Sequence, residues 1–102
     1  MNSMSDPQDC TTMAEVRAGI DTLDREVVQL IARRFAFMDA AARIKPARSA
    51  VRDEGRKAEV LERVAAASDA AGVDPELMRG LYERLIEASI AYELDAFDQL
   101  RA

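Results

Sequence analysis

From Met13 onward apolar residues recur at Val16, Ile20, Leu23, Val27, Leu30, Ile31, Phe35 and Met38, the three-to-four spacing of a helix with one apolar face. Thr12, with Glu15 three positions on, forms a capping box at its start. Pro46 disfavours continuation, so the pattern predicts a helix to about Lys45, roughly 50 Å long at ~1.5 Å per residue. A second helix begins near Asp53, a suitable N-cap, carries Val60, Leu61 and Val64, and ends where Gly72 offers a left-handed C-cap. Asp74 caps a third, with Pro75 at its first position. Leu77, Leu81, Tyr82, Leu85, Ile86, Tyr92, Phe97 and Leu100 give it a broad apolar face centred near Leu85 and Tyr92.

No alternating strand pattern competes, there is no internal repeat, and the one loop of substance lies between Pro46 and Arg52. The expected fold is all-α, with three helices per chain in the order long, short, long. A flexible tail over 1–11 precedes a single domain over 12–102. A helix of some 50 Å is longer than a globule of this size is wide, since a radius of gyration of about 13 Å is expected. One chain cannot cover that stripe, so an intertwined, symmetric homodimer of long helices is predicted.

Composition narrows the chemistry. The 102 residues carry 14 Lys+Arg against 19 Asp+Glu, a net charge of -5, with no His, no Trp and one Cys. His-dependent triads, zinc sites needing several Cys or His ligands, and disulfide frameworks are excluded. Cys10 is expected to be an inert thiol, with neither His nor a second Cys to activate or pair with it. The acidic balance argues against a nucleic-acid surface. Met1 to Thr12 has no positive charge or apolar run, and no apolar stretch has the length of a membrane span, so a cytoplasmic protein without a membrane partner is expected.

Several charges lie on apolar faces. With Arg17 at zero and ~100° per residue, the stripe of the first helix, Phe35 apart, spans about 220° to 320°, Arg34 falls near 260° and Lys45 near 280°. Three turns apart, both can direct their charged ends toward one cavity, whereas Arg33 and Arg43 fall toward solvent. Two buried cations in register require an anion to meet them. Arg34 alone could instead be a dimer-specificity residue. On the third helix, Ser89 and Glu93 lie within the apolar face, while Glu83, Glu87 and Asp98 read as ordinary solvated acids. Glu93 is either the counter-ion of Lys45 or a buried carboxyl that donates a hydrogen bond in its protonated form. Arg56 and Lys57 in the first turn of the second helix oppose its dipole, which suits either a bound anion or a merely solvated charge run. Arg17, at the edge of the first stripe, is within reach of a partner's pocket in a dimer.

The residues Arg17, Ile20-Asp21, Leu23-Asp24, Leu30-Ile31, Arg33-Arg34 and Arg43-Ile44-Lys45 resemble the first helix of the all-helical chorismate mutases. Val51-Arg52-Asp53 with Arg56, and Leu85-Ile86-Glu87-Ala88-Ser89-Ile90, continue the likeness, which runs from Cys10 onward. The resemblance implies an intertwined homodimer with two equivalent sites for chorismate, a dicarboxylate, and a [3,3]-sigmatropic rearrangement to prephenate that uses no metal and no cofactor. It implies that Arg17 comes from the partner subunit, and that Arg17, Arg34 and Arg56 hold carboxylates. Lys45 would bond the ether oxygen and a carboxylate, Asp53 the ring hydroxyl, and Ser89 would position a carboxylate. Two positions depart from the family pattern. Glu93 stands where Gln is frequent, and Lys57 where many members carry a Glu on the ring hydroxyl; Lys57 is then a further anion contact or the neighbour that holds Glu93 or Asp53.

The same fold includes an isochorismate-pyruvate lyase branch, which Asp9-Cys10-Thr11 and Ala41-Ala42-Arg43-Ile44-Lys45 also resemble. Arg52-Asp53 and Ser89 are mutase-like, so mutase is the expected activity and lyase the alternative. A non-catalytic helical dimerisation module is the third reading. Like charges around residues 46–56 lead to the expectation that this loop is mobile without ligand.

Overall fold

The computed structural model describes residues 6–102. Among these, α1 spans Met13–Ile44, α2 spans Glu54–Ala70 and α3 spans Pro75–Leu100, with short 3-10 turns at Pro7–Asp9 and Arg48–Ala50 and no strand. Of the tail expected over 1–11, residues 1–5 lie outside the described residues, and Pro7–Asp9 forms one of the turns.

The helix boundaries follow local chemistry. The Glu15 amide donates to Thr12 Oγ1 at 3.2 Å, and Glu15 Oε1 accepts from the Thr12 and Thr11 amides, each at 3.0 Å, closing the capping box. Those donors hold the Glu15 carboxyl below its ordinary range, the Thr11 amide most of all. Asp53 caps α2 by accepting from the Arg56 amide, and Asp74 caps α3 by accepting from the Glu76 amide. At the end of α2, Gly72 takes a φ of 75°. Its amide reaches Asp69 O, and that of Val73 reaches Ser68 O, the paired bonds of a Schellman turn.

The chain forms two compact units, one ending at Arg34 and one over Phe35–Ala102. In the first, Ile20, Leu23 and Val27 on the apolar stripe remain 45–49% exposed. In the second, α2 packs on α3. Its core joins Ala42, the most buried residue, to Val51 and Phe97, with Ile90, Leu94 and Ala96 packed around them. The buried line of α3 runs through Ile86, Ser89, Glu93 and Phe97, whereas Tyr92, expected at the centre of that face, is 41% exposed. The Tyr92 hydroxyl explains this by donating to Asp39 Oδ1 at 2.8 Å, while its ring meets Phe35 edge-on.

The segment between α1 and α2 is anchored at several points. Val51 lies in the core, Lys45 Nζ donates to Val51 O at 3.4 Å, and Arg48 bonds Asp98 at 2.9 Å. Any excursion of the loop must break these contacts. No helix among the described residues is long and apolar enough to cross a membrane.

Phe97 links the core to both α1 and the loop, so Phe97→Ala is expected to destabilise the protein by about 3–5 kcal/mol. Urea unfolding at fixed protein concentration measures this, with Leu77→Ala, at a 60% exposed site, as the near-neutral control.

Candidate active site

Lys45 directly follows the last residue of α1, where its cation suits the negative end of the helix dipole. Its Nζ lies 2.7 Å from Glu93 Oε2, with side-chain exposures of 28% and 5%. Two residues that sequence reasoning put on separate apolar faces thus meet, in the counter-ion arrangement. Oε2 is buried and has no hydrogen-bond partner, so the ammonium beside it meets its charge as an ion pair. Ser89, one turn earlier on α3 and equally buried, donates to Leu85 O at 2.7 Å. The pair therefore sets a partly exposed ammonium beside a buried carboxylate oxygen.

A second cluster joins the start of α2 to α3. Lys57 Nζ lies 2.6 Å from Glu83 Oε1 and 2.8 Å from Glu87 Oε2, while the Arg52 guanidinium reaches Glu87 at 2.7 Å and Glu54 at 2.8 Å. This corrects two expectations. Lys57 holds neither Glu93 nor Asp53, because the α2–α3 packing turns its ammonium toward two glutamates. Glu83 and Glu87 are not merely solvated acids. The bonds from Arg52, and then Lys57, lower the Glu87 carboxyl to about 2. Glu83 and Glu87 raise the Lys57 ammonium to about 12 and Glu87 raises the Arg52 guanidinium.

The remaining predicted residues are distributed as follows. Asp53 Oδ1 is engaged as the cap of α2, accepting from the Arg56 amide at 3.0 Å. The Arg56 guanidinium turns to Glu59 at 3.2 Å and is exposed. Arg17, exposed, and Arg34, half-buried, lie on the part of α1 that belongs to the first unit. Sequence reasoning missed the Val51 carbonyl, which a hydropathy pattern cannot reveal as a lysine acceptor, and Arg101, whose guanidinium donates to Ala42 O and Lys45 O.

The sequence pattern of the family described as chorismate mutase type II matches residues 16–94, a stretch that contains Arg17, Arg34, Lys45, Ser89 and Glu93. The chain belongs to that family. An isochorismate pyruvate lyase of Pseudomonas aeruginosa is 33% identical over 98 residues, covering 96% of this chain and 97% of the lyase. The family pattern thus covers 79 of the 102 residues, while the relative's activity belongs to a different reaction class from the one that the family's description names.

The α2–α3 charge cluster generates a pH prediction. Because Glu87 is depressed from 4.5 to about 2 in the folded chain, its stabilisation is present above 4.5 and is lost as pH falls through that window. Lys57, raised from 10.5 to about 12, stabilises fully below 10.5 and loses this as pH rises past 12. Glu87→Gln is therefore expected to shrink the loss of unfolding midpoint between pH 4.5 and 2; equal slopes for mutant and wild type contradict the assignment.

Proposed function

We propose that the protein is a chorismate mutase acting as a homodimer, and that the Lys45–Glu93 pair carries the chemistry. In the [3,3]-sigmatropic rearrangement of chorismate to prephenate, the ether C–O bond breaks as a C–C bond forms, all atoms are retained, and negative charge grows on the ether oxygen. The protein has two tasks: to hold a flexible dicarboxylate in its compact conformer and to place positive charge where negative charge develops. Lys45 supplies that charge from a fixed position, since Glu93 and Val51 O restrain its ammonium before substrate arrives. Glu93 has a second part. Ionised, it orients Lys45 but repels the ether oxygen; protonated, it donates to that oxygen.

The catalytic set in this reading is Lys45, Glu93 and Arg34, with Arg17 of the partner subunit, Arg34, Arg56 and Ser89 toward the carboxylates and Asp53 toward the ring hydroxyl. Helical phase and the family resemblance support these assignments. Lys57, already engaged by two glutamates, acts by holding the first turn of α2 in place. The half-exposed Ile20, Leu23 and Val27 support the intertwined dimer, in which partner helices cover them. In this reading the protein acts in the cytoplasm, in the synthesis of phenylalanine and tyrosine.

The lyase reading is favoured by one observation, the 33% identity to the isochorismate pyruvate lyase. Loss of pyruvate from isochorismate to leave salicylate also breaks an ether C–O bond and can use the same cations. Arg52-Asp53 and Ser89 favour the mutase. The test is an assay of the pure protein with each substrate separately. Prephenate from chorismate is expected; salicylate without prephenate overturns the assignment.

Removing Lys45 alone would bury Glu93 uncompensated and cost about 3–5 kcal/mol, confusing folding with catalysis. The decisive comparison therefore starts from Glu93→Gln, which removes the buried charge. Adding Lys45→Met to it is expected to lower kcat by about 10²–10³-fold with little change in unfolding midpoint. A dimerisation module would show no turnover to lose.

A further inference from the structure

We infer that Arg101 is a positioning residue for Lys45: it replaces a hydrogen bond that Pro46 removes and thereby fixes the backbone from which the catalytic ammonium projects. In a continuing helix the Ala42 carbonyl would accept from the amide four residues on, but that residue is Pro46, which has no N–H. With Arg101 in place Ala42 is 0% exposed, so its carbonyl is shut off from bulk water. A buried carbonyl without a donor is strongly disfavoured. Arg101 Nη1 provides one, at 3.0 Å from Ala42 O.

The same guanidinium reaches further. Nη2 donates to Lys45 O at 2.9 Å, and the Lys45 amide donates to Ala41 O at 2.9 Å, so the Lys45 backbone is held on both sides. Arg101 is itself fixed, with Cζ 3.6 Å over the centroid of the Phe97 ring and Nη1 at 3.5 Å from Phe97 O. A planar fork of donors suits two neighbouring carbonyls; an ammonium does not. Arg101 lies seven residues beyond the family-matched stretch, which ends at residue 94.

The kinetic arm of the test rests on the proposed mutase function, and the hydrogen-exchange arm does not. With the full chain, assayed well below each variant's unfolding midpoint, Arg101→Ala is expected to lower kcat for chorismate about tenfold or more through misplacement of Lys45. KM should stay within about threefold, since the clamp does not touch substrate. Amide exchange at Lys45 and Val51 should quicken, and millimolar guanidinium should restore part of the rate. Arg101→Lys should fall between, reaching one carbonyl but not both. Wild-type kcat in Arg101→Ala, or a loss confined to KM, overturns the inference. If Arg101→Ala does not fold, Arg101→Lys decides, and wild-type kcat there overturns it. A wild-type chain that turns over neither chorismate nor isochorismate removes the proposed function instead; unchanged exchange at Lys45 in either folded variant then still overturns the clamp.

Discussion

Lys45 and Glu93 bring opposite charges to 2.7 Å where 28% and 5% of their side chains meet solvent, and much of the second unit is arranged to make that tolerable. A carboxylate as buried as Glu93 must have a cation or be protonated. The cation has to come from the end of α1, so α1 must stop at the level of Glu93 on α3, and Pro46 stops it there. The core of Ala42, Val51 and Phe97 then closes around the junction. Val51 serves twice, filling the core with its side chain and accepting from Lys45 with its carbonyl. For a reaction that moves electrons without a covalent catalyst, a cation fixed in advance is what a protein can contribute most effectively.

Around this pair the other charges divide into those seen to hold structure and those that the proposed function directs toward the substrate. Arg52 and Lys57 belong to the first group, tied through Glu83 and Glu87 to α3, so the first turn of α2 is held although its cations oppose the helix dipole. Asp53 closes that turn by capping it. An acidic chain can in this way present a local cationic site, because net charge averages over a surface on which basic residues are unevenly neutralised.

What was legible in the sequence was what depends on near neighbours. Thr12 with Glu15, Asp53, Gly72, and Asp74 with Pro75 each mark a helix end through contacts within a few residues, and the structure places the ends there. The burial of Glu93 and Ser89 was legible from helical phase alone. Which charge faces which was not, because periodicity states the face a residue occupies and not what lies opposite it. Hence the sequence leaves Lys57 as an anion contact or a neighbour of Glu93 or Asp53, whereas the packing of α2 on α3 gives it Glu83 and Glu87. Tyr92 was counted as core because the pattern scores its ring, not a hydroxyl bound to Asp39. The need for Arg101 was written in the sequence as a proline four residues past Ala42, but only the fold identifies the donor.

In the proposed reaction the Lys45 ammonium, steadied by Glu93, meets the oxygen on which charge develops. A crystal structure with a dicarboxylate mimic of the chorismate transition state tests it most directly. The ether oxygen is expected within hydrogen-bonding distance of Lys45 Nζ and Glu93, with the carboxylates held by arginines that include Arg17 of the partner subunit. A mimic bound elsewhere, with Lys45 still closed on Glu93 and touching no ligand atom, would contradict it.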